Sequence, residues 1–186
     1  TTLLNLIGGL DVPTTGNIYF KGSNLSSMSR HQMASYRRKN IGFIFQTYNL
    51  LPVYSVYENV LFPLLMNGFK EKDVRSRVMD IVAKVGLSDQ SKKRPSQLSG
   101  GQCQRVAIAR ALVKDPLIIL ADEPTANLDS ENSLQILELM LDLNRQYKAA
   151  VVFSTHDEKV YKYVRRVVKL EDGKIFSDKN NLNKVS

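Results

Sequence analysis

The chain has 186 residues, 43% of them hydrophobic and 24% charged, with 26 Lys and Arg against 18 Asp and Glu for a net charge of +8. This is the composition of one soluble globular domain with a sizeable core, and it excludes intrinsic disorder as the default state. A single cysteine, Cys103, excludes an internal disulfide and suits a reducing compartment, while the longest apolar runs (60–66, 117–121 and 149–153) are too short to span a bilayer and no signal peptide is read.

In chain order, Leu3, Leu6, Ile7 and Leu10 repeat at helical spacing with no capping residue ahead of them, so a helix is already under way at residue 1 and ends at Gly8-Gly9. "NIYFKG" (17–22) reads as a short strand, "SRHQMASYRRK" (29–39) as a polar helix, and "IGFIF" (41–45) as a strand followed by Gln46 and a loop holding Pro52. From Ser55 to about Lys84 the pattern is helical, with one apolar stripe at Val56, Val60, Leu61, Leu64 and Leu65 and a second at Val74, Val78, Ile81, Val82 and Val85. Gly86 and "SDQSKKRPSQ" close this helical insertion. A helix over Gly101–Lys114, a buried strand "LIILA" (117–121), a helix over Ser130–Tyr147, a strand "AAVVFST" (149–155) and a short helix from Asp157 follow. "VVKLEDGKIF" reads as a hairpin turning at Asp172-Gly173. Apolar strands alternating with helices predict an α/β fold around a parallel sheet covered on both faces.

The basic residues come in small groups: Arg37, Arg38 and Lys39; Lys92, Lys93 and Arg94; Arg165 and Arg166. They read as solvated faces that can also meet phosphates or anionic lipid heads. No aromatic residues interleave with them as a single-strand groove requires, so no nucleic-acid partner is expected. Cys103 itself reads as a small, partly buried side chain.

Four places carry chemistry. "LIILADEP" ends an apolar strand in Asp122 and Glu123, at the sheet edge where α/β folds bind ligands. Either this is an acidic surface turn, or the strand alternation gives the two carboxylates separate tasks: Asp122 on Mg²⁺ and Glu123 on an attacking water. "LSGGQCQRVAIARAL" (98–112) starts a helix with Ser99, Gly100 and Gly101, which is either a capped, flexible helix start or an anion site made of free N–H groups. His156 follows a second apolar strand, in line with Asp122 and Glu123, and Gln46 ends a third. Taken singly they read as a structural histidine and an ordinary loop glutamine. Together with the carboxylates they read as site residues, the amide touching metal-bound water.

With these motifs in place, the chain resembles the nucleotide-binding subunits of ATP-binding-cassette (ABC) transporters over nearly its whole length. LSGGQ at 98–102 looks like the family signature, "LIILADE" like the Walker B strand with its catalytic Glu123, and "ANLD" at 126–129 like the D-loop. Gln46 looks like the Q-loop residue and His156 like the switch histidine. The wording "LLNLIGGLDVPTTG" and "NLLPVYSVYENVLFPLL" is similar to the subgroup serving lipoprotein release, macrolide export and antimicrobial-peptide export. Cys103 stands where the family often has glutamine, outside the five signature residues.

The resemblance implies a P-loop NTPase (RecA-like) fold: one ABC ATPase domain over 1–186, partial, with a helical subdomain inserted at about 47–97. It implies ATP and Mg²⁺ as cofactors. Catalysis would fall to Glu123, His156 and Gln46; the metal to Thr1, Gln46 and Asp122; the nucleotide to Thr1, Thr2, Ser99, Gly100, Gly101, Gln102 and Asp129. The partners implied are transmembrane permease subunits, which would seat a cytoplasmic helix around 46–85, and a second ATPase domain in a head-to-tail homodimer or pseudo-symmetric dimer. The place implied is the cytoplasmic face of the cell membrane, as a peripheral subunit. In this family "TTLLNLIGGL" follows the phosphate loop G-x-x-G-x-G-K, so the sequence reads as truncated before Thr1, without the Walker A loop and its strand, and this chain alone is expected to be inactive. The rival readings are a degenerate partner-binding fragment that does not hydrolyse ATP, and a soluble family member acting on ribosomes or DNA.

Overall fold

The computed structural model of the chain describes residues 1–181. Its contacts divide it into two units, Thr1–Ser154 and the segment from Thr155 onward.

The first unit is organised by a parallel sheet of three strands, β3 (Ile41–Ile44), β4 (Ile118–Asp122) and β5 (Ala150–Ser154), in the order β3-β4-β5. Ile41 pairs with Ile118, and Asp122 with Ser154. Every residue of β4 from Ile118 to Ala121 is buried, and the pleat divides them between two cores. Ile118 and Leu120 pack with Ile41 and with Leu4 of α1 (Thr2–Ile7). Ile119 and Ala121 face the larger cluster, which includes Val106 and Ile108 of α5 (Gly100–Leu112) and Ile136 and Met140 of α6 (Ser130–Tyr147). α5 crosses β3 so closely that a Cβ on Gly42 would lie 2.9 Å from the Ala111 carbonyl oxygen; only glycine accepts that approach.

The larger cluster continues into α3 (Val56–Met66) and α4 (Glu71–Lys84), through Val56, Val60, Leu64, Val78, Ile81 and Val82. The expected stripes are buried except for Leu65, which is 40% exposed. The helical text from Ser55 to Lys84 is two helices. Gly68, at φ +86°, turns the chain between them. Ser55 and Glu58 cap α3 reciprocally. Asn59, fully buried, fastens the preceding loop: its Nδ2 donates to the carbonyls of Leu51, Tyr54 and Ser55 at 3.0–3.1 Å, and its Oδ1 accepts from the Leu51 N–H at 2.8 Å.

Elsewhere the expectations hold with adjusted ends. The strand expected in "NIYFKG" is a two-residue β1 (Tyr19–Phe20) that folds back at Lys21-Gly22 onto β2 (Ser23–Asn24). Both turn residues have positive φ, which stops the strand at two residues. The polar helix is α2 (Arg30–Asn40). In the second unit the short helix from Asp157 is a 3-10 turn, Glu158–Tyr163, and β6 (Arg166–Glu171) and β7 (Lys174–Asn180) form the expected hairpin about Asp172-Gly173. Among the described residues no helix is long and apolar enough to cross a membrane.

Asn59→Leu removes four hydrogen bonds and leaves buried loop groups unpaired. We expect a loss of about 3 kcal/mol, read as a lower urea midpoint at unchanged slope.

Candidate functional site

The carboxyl end of β4 is the starting point. Asp122, its last residue, accepts a hydrogen bond from the Thr1 hydroxyl at 2.6 Å, joining positions 121 residues apart. Its other oxygen, Oδ1, is buried, accepts no hydrogen bond and lies 3.4 Å from the Thr1 ammonium. Glu123 then leaves the strand at φ +47°; its N–H donates to the Ser154 carbonyl at 2.8 Å, and its carbonyl accepts from the Ala126 N–H at 3.2 Å. The strand pleat therefore ends at Asp122, and Glu123, itself left-handed, does not continue the alternation expected from the sequence. A non-glycine residue holds that conformation at a cost of roughly 1–3 kcal/mol, supplied by surrounding contacts.

Beyond β3, Gln46 is exposed in a turn closed by the Tyr48 N–H on the Phe45 carbonyl at 3.1 Å. Its own carbonyl accepts from Asn127 Nδ2 at 2.8 Å, so the turn is tied to the segment that follows Glu123. Tyr48 and Asn49 are both left-handed, at φ +61° and +47°. Arg110, from α5, donates to the Tyr48 carbonyl at 2.7 Å and to the Asn49 carbonyl. Burial lowers the pKa of this guanidinium, and no carboxylate pairs with it among the described residues.

At the start of α5, Ser99 and Gln102 form a capping box. The Gln102 N–H donates to Ser99 Oγ at 3.3 Å, and the Ser99 N–H donates to Gln102 Oε1 at 2.9 Å. One of the N–H groups that the sequence reading left free for an anion is thus occupied by the cap. The glycines have neighbours inside the same chain. A Cβ on Gly100 would lie 3.0 Å from the Tyr48 hydroxyl, and one on Gly101 would lie 3.0 Å from Asn132 Oδ1. Asp129 caps α6, accepting from the Asn132 N–H at 2.9 Å and from Asn132 Nδ2 at 2.6 Å. These two donors, the backbone N–H first, hold its carboxyl below the usual aspartate range. Cys103 is buried, and burial pushes its thiol up, which makes it an inert packing residue.

Asp122, Glu123, Gln46 and Thr1 lie in the first unit, as do Thr2, Ser99, Gly100, Gly101, Gln102 and Asp129. Thr2 is the exposed first residue of α1. His156 belongs to the second unit, exposed just ahead of a turn in which Asp157 N–H donates to Thr155 Oγ1 at 3.0 Å. The sequence reading passed over Asn127, Asn132, Tyr48 and Arg110. Arg110 had a visible signal: a charged residue on a helical face whose neighbours Val106, Ala107 and Val113 are apolar and buried.

A hydroxyl beside a carboxylate whose buried Oδ1 makes no hydrogen bond and faces a positive charge, the Thr1 ammonium at 3.4 Å, fits a hard cation that prefers oxygen. Among the described residues no group of three His, Cys, Asp or Glu gathers into a cage. Such a pair therefore suits an ion that takes its remaining ligands from water and phosphate.

Comparison with known proteins agrees with this geometry. The profile of the family described as "ABC transporter" matches residues 1–126. The chain is 42% identical over 177 residues to the lipoprotein-releasing system ATP-binding protein LolD of Legionella pneumophila (strain Lens), an alignment covering 95% of this chain and 78% of that protein. Among solved structures it is similar to the ATP-binding cassette MJ0796, a bacterial ABC transporter cassette, with a TM-score of 0.87 and 38% identity over 96% of this chain and 79% of that one. That cassette is dimeric in both structures, one of them a post-hydrolysis state bound to ADP and Pi.

The Asp129 cap carries a pH signature. Its folded pKa is lowered, so its stabilisation is present above the unfolded value of about 3.9 and is lost as pH falls through the folded value. Asparagine caps equally well without titrating. In melting curves against pH, wild type and Asp129→Asn should therefore run together near neutral pH and separate at the acid end, where the wild type alone loses its cap.

Proposed function

The chain belongs to the ABC transporter family of ATP-binding domains, and on that premise we propose how its own residues perform ATP hydrolysis for a transporter. Binding ATP and hydrolysing it are the family's activities, and the fold is the family's P-loop NTPase cassette. The observation that carries the residue assignment is the contact of Thr1 with Asp122 at the end of β4, with Glu123 turned out of the strand beside it.

In this reading Thr1, Asp122 and the Gln46 amide hold a magnesium ion, and Thr1 and Thr2 begin the helix that receives the phosphates. When bound, the ion neutralises charge on the β- and γ-phosphates. Glu123 accepts a proton from the attacking water, from a position just past the end of β4 where the backbone is left-handed. His156 holds the γ-phosphate side of the reaction, a role that rests on the motif and its place after β5. Ser99, Gly100, Gly101 and Gln102 offer the start of α5 to the nucleotide on a second copy, with Asp129 at the seam. The likeness to a dimeric cassette supports that head-to-tail arrangement.

The helical subdomain, about 47–97, is the part that would meet transmembrane permease subunits. The protein would then act as a peripheral subunit at the cytoplasmic face of the membrane. The likeness to a lipoprotein-releasing ATPase supports a place in that subgroup.

In protein carrying the family's phosphate loop ahead of Thr1, Glu123→Gln should bind ATP and remain a dimer while kcat falls roughly 10²–10⁴-fold, the range a positioned base contributes. Single-turnover ATPase rates check this, and wild-type turnover would move the role of base to another residue. In the same protein, Gly101→Asp should be severe, since the new carboxylate meets Asn132 and faces the phosphate. Mixing it with a chain lacking the phosphate-loop lysine should restore one working site per mixed dimer, measured as ATPase rate against mixing ratio. No recovery with mixed dimers present would remove the trans arrangement.

A further inference from the structure

We propose that Arg110 is a positioning residue for Gln46, a clamp by which the helix that begins at the signature sets the main chain of the loop beyond β3. The inference rests on the reading of Gln46 as a residue at the magnesium ion. Arg110 lies ten residues into α5, far from the helix start in sequence, yet its guanidinium reaches the carbonyls of Tyr48 and Asn49, 62 and 61 residues away. Those are the two consecutive left-handed residues of this loop. Asparagine tolerates that backbone, but the bulky Tyr48 is a costly occupant of it and needs outside contacts to stay there.

The cation is the fitting device. Its planar fork presents parallel donors, which match two successive carbonyls, and a charge-assisted bond is stronger than a neutral one. Here the charge is half-buried and no carboxylate among the described residues pairs with it, so the loop carbonyls are its compensation and the loop its anchor. The other fastenings of the loop leave that job undone. Asn127 holds only the Gln46 carbonyl, at 2.8 Å, and Thr47 Oγ1 donates to Asn49 Oδ1 at 2.9 Å, a bond internal to the loop. The Tyr48 hydroxyl also stands over Gly100, so the same clamp sets what covers the first signature glycine. Gln46 is thus held at its carbonyl by the Asn127 segment and from two residues downstream by α5. Loss of the second hold lets the turn relax and moves the amide.

The test uses Arg110→Met, Arg110→Lys, Gln46→Ala and the Arg110→Met/Gln46→Ala double variant, in ATPase-competent protein carrying a phosphate loop. Rates are followed against Mg²⁺ and against ATP, on samples whose circular dichroism and melting show them folded. A misplacement of about 1 Å costs up to roughly 10²-fold, so Arg110→Met should lower kcat by about 10- to 100-fold and raise the half-saturating Mg²⁺ several-fold, with KM for ATP changed little. Arg110→Lys, which keeps the charge without the fork, should fall between. Once Gln46 is alanine, Arg110→Met should shift the Mg²⁺ dependence no further. Equal, additive Mg²⁺ shifts in the two backgrounds, or a folded Arg110→Met or Arg110→Lys protein with wild-type Mg²⁺ dependence, would overturn the clamp. If Arg110→Met does not fold, Arg110→Lys in both Gln46 backgrounds decides by the same criterion. A Gln46→Ala protein with unaltered Mg²⁺ dependence would instead overturn the reading of Gln46, an outcome separate from failure of the clamp.

Discussion

Everything in the first unit depends on one strand that has no solvent-facing side. β4 is hydrogen-bonded on both edges, to β3 and to β5, and its alternate residues fill two different cores. A strand in that position tolerates neither a register slip nor a polar residue, because a shift by one would exchange the contents of both cores. Its end is therefore a fixed point, and Asp122 and Glu123 inherit that rigidity. The parallel register then brings the end of β5 beside Asp122, through the pairing with Ser154, and the same carbonyl takes the Glu123 N–H. Burial at Ile118–Ala121 fixes where the acidic pair begins, and the contacts of Asp122 with Thr1 and of the Glu123 main chain with Ser154 and Ala126 hold it there.

Around this fixed edge the helices are oriented chiefly by their first turns. Ser29, Ser55 and Ser99 each accept from the N–H three residues on, while that residue's side chain returns the bond, and Asp129 caps α6 through Asn132. The starts of α5 and α6 also meet each other, since a Cβ on Gly101 would press on Asn132 Oδ1 at 3.0 Å. One asparagine thus bonds the cap of its own helix and limits the neighbour's. This gives the two signature glycines a reason internal to the chain: they accommodate Tyr48 and Asn132, whatever approaches from outside.

The parts legible in the sequence are those in which local chemistry and global fold ask for the same residues. The apolar run ending in Asp122, the serine-glycine start of α5, the full extent of α6 and the Asp172-Gly173 hairpin are of this kind. What was illegible is contributed by distant residues. Thr1 meeting Asp122 follows from the fold and not from spacing; the resemblance supplied it. "NIYFKG" carried strand-forming residues, yet the turn at Lys21-Gly22 ends β1 after two of them. The left-handed backbone of Glu123 was illegible as well, since propensity gives no hint of it. The Ser154 carbonyl and the Ala126 N–H hold it there from outside the strand. Arg110 was visible as an oddity on an apolar helix face, but its target lay in a loop some 60 residues earlier.

The positive-φ residues sort the strained from the merely turned. Among the described residues, seven non-glycine residues have φ above zero. Lys21 and Asp172 each precede a glycine in a two-residue hairpin turn, and Lys148 ends α6 in the left-handed cap position. Asp115 lies in the connection between α5 and β4. Local geometry accounts for those turns. Glu123, Tyr48 and Asn49 differ, since each lies just past a strand's carboxyl end and each is held by a group from another element: the Ser154 carbonyl in one case, the Arg110 guanidinium in the others. Strain kept in place by distant contacts is costly and gives the fold nothing that a glycine would not give more cheaply. What it gives is a side chain, glutamate or tyrosine, at a position where glycine would leave none. The edge of the sheet is thus the place where the chain exchanges stability for the aim of particular groups.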